Sequence, residues 1–380
     1  MRTISLRKAA LGLLASTLLV TGCNTKPAAT ETDRTAVVVP EAATTASDSA
    51  AATAGAVKPT GPAPAWGLSI KPEMLAVIEQ LKSFDPKPLP TLTPAQARKQ
   101  PGAKEAADKQ MRASNITPPP MQCDTMSMKL GAGPMARIYT PKTGTAPFPV
   151  VLYYHGGGWV IANLDTYHAS AQALCEQTGA VVVSVAYRQG PEHRFPAAHE
   201  DSFAAYQWVL KNAATIKGDP ARVAVAGESA GGGLACAVSL MARDRKVALP
   251  KYQLLVYPIA GYDQNTPSYQ KNTESMPLNK AGMAWFFKNY LRTPADGQDP
   301  RINLVGANLK GLPPTTIIGA EIDPLMSEGK LLADKLTAAG VKVNYQLYPG
   351  TTHEFFGMAA VVPQAKEAQG LAFGDVKAAL

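Results

Sequence analysis

Four stretches of this chain carry side chains that do chemistry together once a fold brings them to one place. The first is Gly227-Glu228-Ser229-Ala230-Gly231, which closes an apolar run at 223–226 and opens a helix-like segment at 234–243. A serine at a tight strand-to-helix turn has its hydroxyl pushed clear of the sheet, and glycines beside it let neighbouring chain approach closely. The helix that follows turns its N-terminal N–H groups and the positive end of its dipole toward the same spot, where an oxyanion would form. The second stretch is His155-Gly156-Gly157-Gly158-Trp159, directly after the apolar run 150–154. Such a glycine row has no side chains to block an oxyanion and its N–H groups can point at one, although by itself it also reads as a flexible turn. The third and fourth are Asp323, ahead of Pro324, and His353, in Pro349-Gly350-Thr351-Thr352-His353-Glu354-Phe355. Alone, an Asp-Pro pair starts a turn or helix and a loop histidine is solvated. As a set they give the order Ser, Asp, His, each on a loop after a strand, which suits nucleophilic acyl transfer with the histidine as base and the aspartate as its orienter.

These residues need a scaffold, and the chain supplies one. Near-continuous apolar runs at 150–154, 180–187, 223–226, 252–257, 315–318 and 343–347 alternate with helical segments. Such runs are what parallel strands look like when both faces of the sheet are covered. Segments 125–130 and 135–140 flank Gly131-Ala132-Gly133-Pro134, a hairpin signal. The expectation is an α/β fold with eight strands, mostly parallel, helices on both faces and one antiparallel hairpin at its start. Open sheets of this kind place their sites at the carboxyl ends of strands, where all four stretches fall. Ahead of the core, 72–81 has helical spacing with Pro72 suited to a first turn, Thr93-Pro94 opens a second helix ending before Pro101, and 103–112 reads as a third. They are too sparse in apolar residues to stand alone, so 66–118 is expected as a helical cap over a core at 119–380.

The first residues read as an export signal. Arg2, Arg7 and Lys8 precede an apolar run at 9–20 that ends in Val20-Thr21-Gly22-Cys23, and the run is short for a bilayer span. The ending resembles a bacterial lipobox, which implies a lipoprotein signal peptide at 1–22 and Cys23 as the lipid-bearing residue of the mature chain; the alternative is an ordinary signal peptide with a chance cysteine. Acyl chains on Cys23 would anchor it stably. Asn24 resembles the sorting residue of outer-membrane lipoproteins, so the expected location is the bacterial cell envelope, on the outer membrane facing the periplasm. Residues 23–65 are rich in Ala, Thr, Pro and Ser and are expected to be a disordered tether.

Composition excludes several classes. Across 380 residues, 46% hydrophobic and 17% charged is ordinary for a globular enzyme. The formal charge of +8 drops to +5 without Arg2, Arg7 and Lys8, and no dense Lys/Arg cluster exists, so nucleic acid is not an expected partner. Apart from Cys23, the chain has Cys123, Cys175 and Cys236, an odd number with the last two in apolar helix-like stretches, so no essential disulfide is expected. No His/Cys spacing suits a metal, and no cofactor is expected.

Five motifs together resemble one family. His155 to Trp159, the AYR and PEHRFPAAHED segments between Ala186 and Asp201, GESAGG from Gly227, AEIDPL from Ala320 and YPGTTHEFF from Tyr348 resemble the bacterial hormone-sensitive-lipase-like esterases of the α/β-hydrolase superfamily. The resemblance spans about 70–358. It implies a serine carboxylesterase for short acyl esters, with Ser229, Asp323 and His353 as triad and the N–H groups of Gly157, Gly158 and Ala230 as oxyanion hole. It also implies a second cap segment at 261–301, where Trp285, Phe286, Phe287 and Tyr290 could line the pocket or equally pack the cap on the core; Trp159, Tyr187, Trp285 and Phe286 are the expected substrate-binding side chains. The expected partner is a small-molecule ester, with the oligomeric state, a dimer included, left open. There are departures: Glu228 stands where the subgroup usually has Asp, Gln189-Gly190 replaces a commoner Leu-Ala, Glu354 replaces a frequent Gly, and many relatives lack a lipoprotein tether. Two other readings share the site residues: an amidase or peptidase on the same scaffold, and a surface lipoprotein that binds a ligand without turnover.

Overall fold

The computed structural model describes residues 57–380. The signal peptide, Cys23 and most of the tether lie outside the described residues. In chain order come helices α1 (Pro72–Lys82), α2 (Pro94–Ala97) and α3 (Ala103–Ala113), then strands β1 (Cys123–Lys129), β2 (Met135–Pro141) and β3 (Phe148–Tyr154). Helix and strand then alternate through α4 (His168–Thr178), β4 (Val181–Ala186), α5 (Ala197–Asn212), β5 (Gly218–Glu228), α6 (Ala230–Asp244) and β6 (Gln253–Val256). Two helices, α7 (Pro267–Lys271) and α8 (Lys280–Tyr290), interrupt that rhythm before β7 (Thr315–Ile322), α9 (Met326–Ala338), β8 (Val343–Thr352) and α10 (Pro363–Ala379).

All eight strands form one sheet in the order β1-β2-β4-β3-β5-β6-β7-β8. β2 runs antiparallel to both β1 and β4, and every other pairing is parallel. The apolar runs follow from the burial of both faces. On β3, Val150, Leu152 and Tyr154 enter the apolar cluster shared with α5 and α6, while Val151 and Tyr153 enter the opposite one with α4 and α10. A strand with two buried faces has no position at which a polar residue goes unpenalised.

Helix α1 begins with Pro72 and buries Met74, Leu75, Val77, Ile78 and Leu81. Its Glu79 carboxylate accepts the backbone N–H groups of Thr60 and Gly61, each at 2.7 Å, and Val57 is buried in the same cluster as α1. The tether was expected to continue to Ala65, but the chain is already docked from Val57. Composition weighs large apolar side chains and misses a segment held by backbone donors on one carboxylate. The second cap helix is also shorter than the stretch before Pro101 suggests: α2 is a single turn, closed at its start by a Thr93–Gln96 capping box. Among the described residues, no helix is long and apolar enough to cross a membrane, and Cys123, Cys175 and Cys236 are buried and unpaired.

Candidate active site

Ser229 joins the end of β5 to the start of α6 with φ at 56° and ψ at −119°. That strained backbone is held from several sides. Ser229 N–H donates to Val256 O at 2.9 Å, while its carbonyl accepts from Gly233 and Ile259, each at 3.1 Å. A β-carbon on Gly231 would lie 1.9 Å from Tyr154 O, so only glycine lets the end of β3 pack beside this turn.

β7 delivers Asp323 and β8 delivers His353 to the same end of the sheet. His353 Nε2 lies 2.9 Å from Ser229 Oγ, and its Nδ1 lies 2.7 Å from Asp323 Oδ2. Asp323 is fully buried; its other oxygen accepts the Leu325 N–H at 2.9 Å, which fixes the carboxylate plane against the imidazole. Burial works against a charged His353, yet the Asp323 carboxylate, with Glu354 and Glu228 also near, offsets this and raises its pKa above the ordinary 6.5. The geometry suits an imidazole that takes a proton from the serine at one nitrogen while a carboxylate holds the other.

The glycine row after β3 bends over Ser229. Gly157 and Gly158 have φ of 97° and 57°, and among the described residues neither N–H donates to a protein acceptor. Ala230 is the first residue of α6, so its N–H has no acceptor within the helix. The three residues that the resemblance implies for an oxyanion hole thus keep N–H groups without a protein acceptor among the described residues, and Gly157 and Gly158 line one cavity with Ser229. His155, at the head of the row, is buried, which pushes its pKa down to about 4 and leaves it neutral.

A cavity of about 510 Å³ opens onto Ser229, His353, Gly157 and Gly158. Both segments expected as cap contribute walls, the first through Leu89 and Ala97, the second through Leu278, Met283 and Phe286. Of the four aromatics expected to bind substrate, Phe286 alone lines this cavity. Trp159 is buried and stacked on Tyr290 with ring centroids 4.8 Å apart. Tyr187 stacks on His155 at 4.3 Å and donates its hydroxyl to His155 O at 2.7 Å, and Trp285 donates its indole N–H to Leu92 O at 3.1 Å. These three brace the glycine row and the cap, and the direction of an aromatic ring at a crowded junction depends on neighbours far away in sequence.

Two cavity residues carried no signal as site residues. Tyr167 lies in the loop after the glycine row, outside any motif, and Glu354 was visible only as an unusual neighbour of His353. Tyr167 donates to Glu354 Oε1 at 2.6 Å. Behind Ser229, the buried Glu228 accepts the Tyr153 hydroxyl at 2.6 Å and also the Tyr257 hydroxyl. Burial raises the Glu228 pKa to about 7 even against these donors. Among the described residues, no group of three His, Cys, Asp or Glu side chains converges as a metal site would.

Comparison with known proteins bears on this arrangement. A family profile described as alpha/beta hydrolase fold matches residues 151–357. The chain is 41% identical over 248 residues to carboxylesterase NlhH of Mycobacterium tuberculosis, covering 64% of this chain and 78% of that protein. It is 34% identical over 235 residues to an ethyl acetate hydrolase of Pseudomonas putida, covering 61% of this chain and 74% of that one. Among solved structures, a hyperthermophilic esterase from the archaeon Pyrobaculum calidifontis superposes with a TM-score of 0.74 at 33% identity, over 82% of this chain and 98% of the other.

Proposed function

Because the chain belongs to the alpha/beta hydrolase fold family and is a carboxylic ester hydrolase, we propose that it cleaves short-chain acyl esters with Ser229 as nucleophile, His353 as general base and acid, and Asp323 as orienter. The observation that carries this reading is the unbroken line of contacts from Asp323 through His353 to Ser229, at 2.7 and 2.9 Å, on the floor of an open cavity. Ser229 Oγ attacks the ester carbonyl while His353 Nε2 takes its proton. The carbonyl oxygen becomes an oxyanion beneath the free N–H groups of Gly157, Gly158 and Ala230. As the tetrahedral intermediate collapses, His353 returns the proton to the departing alcohol, leaving an acyl-serine. Water then enters, His353 takes its proton, and the same steps release the acid.

The short-chain preference is carried by the family resemblance and by the cap, whose Phe286 and Met283 wall the cavity beside Ser229. The test is a p-nitrophenyl ester series, acetate to palmitate, on the wild-type protein and Ser229→Ala. Rates should peak at short chains, and the variant should lose about 10⁴-fold or more in kcat while staying folded. A variant that keeps its activity sinks the role given to Ser229, and rates still rising toward palmitate sink the chain-length preference.

The export and anchoring reading extends this proposal to location. An acylated Cys23 would hold the domain at the envelope membrane, on the periplasmic face, through a tether of some thirty residues. Cys23→Ser should then move the esterase activity from the membrane fraction to the soluble one, and activity that stays with the membrane would refute the lipid attachment.

A further inference from the structure

Among the carboxylates that line the cavity, Glu354 is the one beside His353. Glu354 follows His353 with φ at 71°, and its Oε1 lies 3.9 Å from His353 Nε2. The only hydrogen bond to this carboxylate among the described residues comes from Tyr167 to Oε1, so Oε2 has no donor, and 25% of the side chain remains exposed.

The charges around the cavity are unbalanced. Lys87, Lys104, Glu105, Glu274 and Glu354 line it. Both lysines are already paired, Lys87 with Asp85 and Lys104 with Asp108, each at 2.5 Å, and neither aspartate lines the cavity. Glu105 is turned to the Gly102 N–H at 2.8 Å, as a helix cap. Among the described residues, Glu274 makes no ion pair, and Glu354 has only His353 as a cationic neighbour. By formal charge the lining sets two lysines against three glutamates, and although burial raises the Glu354 pKa above its ordinary value, the neighbouring His353 works toward its charged form.

Glu354 also has a defined position along the reaction. Nε2 is the atom that returns a proton to the departing alcohol, so a carboxylate beside it on the cavity side flanks the alcohol portion of the ester and not the acyl portion. We propose that Glu354 selects esters whose alcohol portion carries a positive charge, such as amino-alcohol or quaternary-ammonium alcohol esters. This specificity rests on the serine-esterase reading given above. A carboxylate in a partly desolvated cavity attracts a nearby cation far more strongly than one in bulk water, and the attraction weakens as salt is added.

The test compares butyrylcholine with neohexyl butyrate, an uncharged ester in which carbon replaces the quaternary nitrogen, on the wild-type protein and Glu354→Gln. Wild-type kcat/KM should favour the charged ester by about tenfold or more at low salt, and the glutamine variant should bring that ratio close to one. A wild-type ratio near or below one, or a ratio unchanged by Glu354→Gln, overturns the proposal. A second measurement needs no variant: choline should inhibit wild-type hydrolysis of p-nitrophenyl butyrate at far lower concentration than neohexyl alcohol, and equal inhibition overturns the proposal as well. If the wild-type protein hydrolyses neohexyl butyrate and p-nitrophenyl butyrate but shows no charge preference, the specificity alone fails. If it hydrolyses none of the three esters, the serine-esterase reading falls and takes the specificity with it.

Discussion

Tyr153 donates its hydroxyl to Glu228 at 2.6 Å, one residue before the serine at the strand-to-helix turn. Tyr257 donates to the other oxygen of the same carboxyl, and its ring lies 4.5 Å from the His353 imidazole. Glu228 therefore braces both Ser229, through the backbone, and His353, through Tyr257. The arrangement stores a buried acid beneath the site, and its protonation is linked to folding.

Burial raises the Glu228 pKa from 4.5 to about 7. In that window the native protein holds a proton that the unfolded chain has released. Stability from this group is thus full below pH 4.5 and declines as pH rises toward 7, by on the order of 3 kcal/mol. Glu228→Gln removes the titration, so its melting temperature relative to wild type should improve between about pH 5 and about pH 8. Parallel curves for the two proteins across that range would show that Glu228 titrates the same way folded and unfolded.

The sheet was largely legible because burial on both faces makes β3, β4 and β6 mostly apolar, with Ser184 and Gln253 as exceptions. Strand limits were less so. β5 starts at Gly218, ahead of the apolar run at 223–226, because Gly218 pairs with Phe148 before a register shift, and the intervening residues carry no apolar run. β8 alternates in burial and continues to Thr352, since as an edge strand it has one partner and one drier face. At the site, Ser229, Asp323 and His353 were legible from motif and order. Tyr167 and Glu354 meet across 187 residues, and no local pattern encodes such a meeting. Trp159, Tyr187 and Trp285 were expected in the pocket because aromatic type indicates burial but not direction.

In the proposed mechanism Asp323 acts through the tautomer of His353. With a carboxylate at Nδ1, the proton sits on that nitrogen and Nε2 is free to accept from Ser229. Asp323→Asn presents an amide that can donate, which favours the wrong tautomer, and kcat should fall by about 10⁴-fold. The fold should persist, because Asn keeps an oxygen for the Leu325 N–H that Asp323 receives at 2.9 Å. A loss of only a few-fold in steady-state hydrolysis would remove Asp323 from the mechanism.

Glu354 also acts on the pH profile. Its carboxylate is among the charges that favour protonated His353, and hydrolysis requires the neutral imidazole. Neutralising it in Glu354→Gln lowers the His353 pKa, so the acid limb of kcat/KM should move to lower pH. An acid limb that stays in place, or moves upward, would mean that the Glu354 charge does not reach Nε2.

Phe286 bears on both the oxyanion hole and the reach of the cavity. A β-carbon at Gly158 would fall 2.2 Å from its ring, so the ring covers the glycine row as well as lining the cavity. Phe286→Ala replaces a buried ring by open volume and should destabilise the fold by about 3 kcal/mol or more. The same volume becomes available to substrate, so kcat/KM for p-nitrophenyl octanoate should rise relative to butyrate even if both absolute values drop. Because the comparison is a ratio within one protein preparation, partial unfolding cancels from it. An unchanged ratio would assign Phe286 to packing, like Trp285, and leave the chain-length limit to Leu278 and Met283 on the same wall.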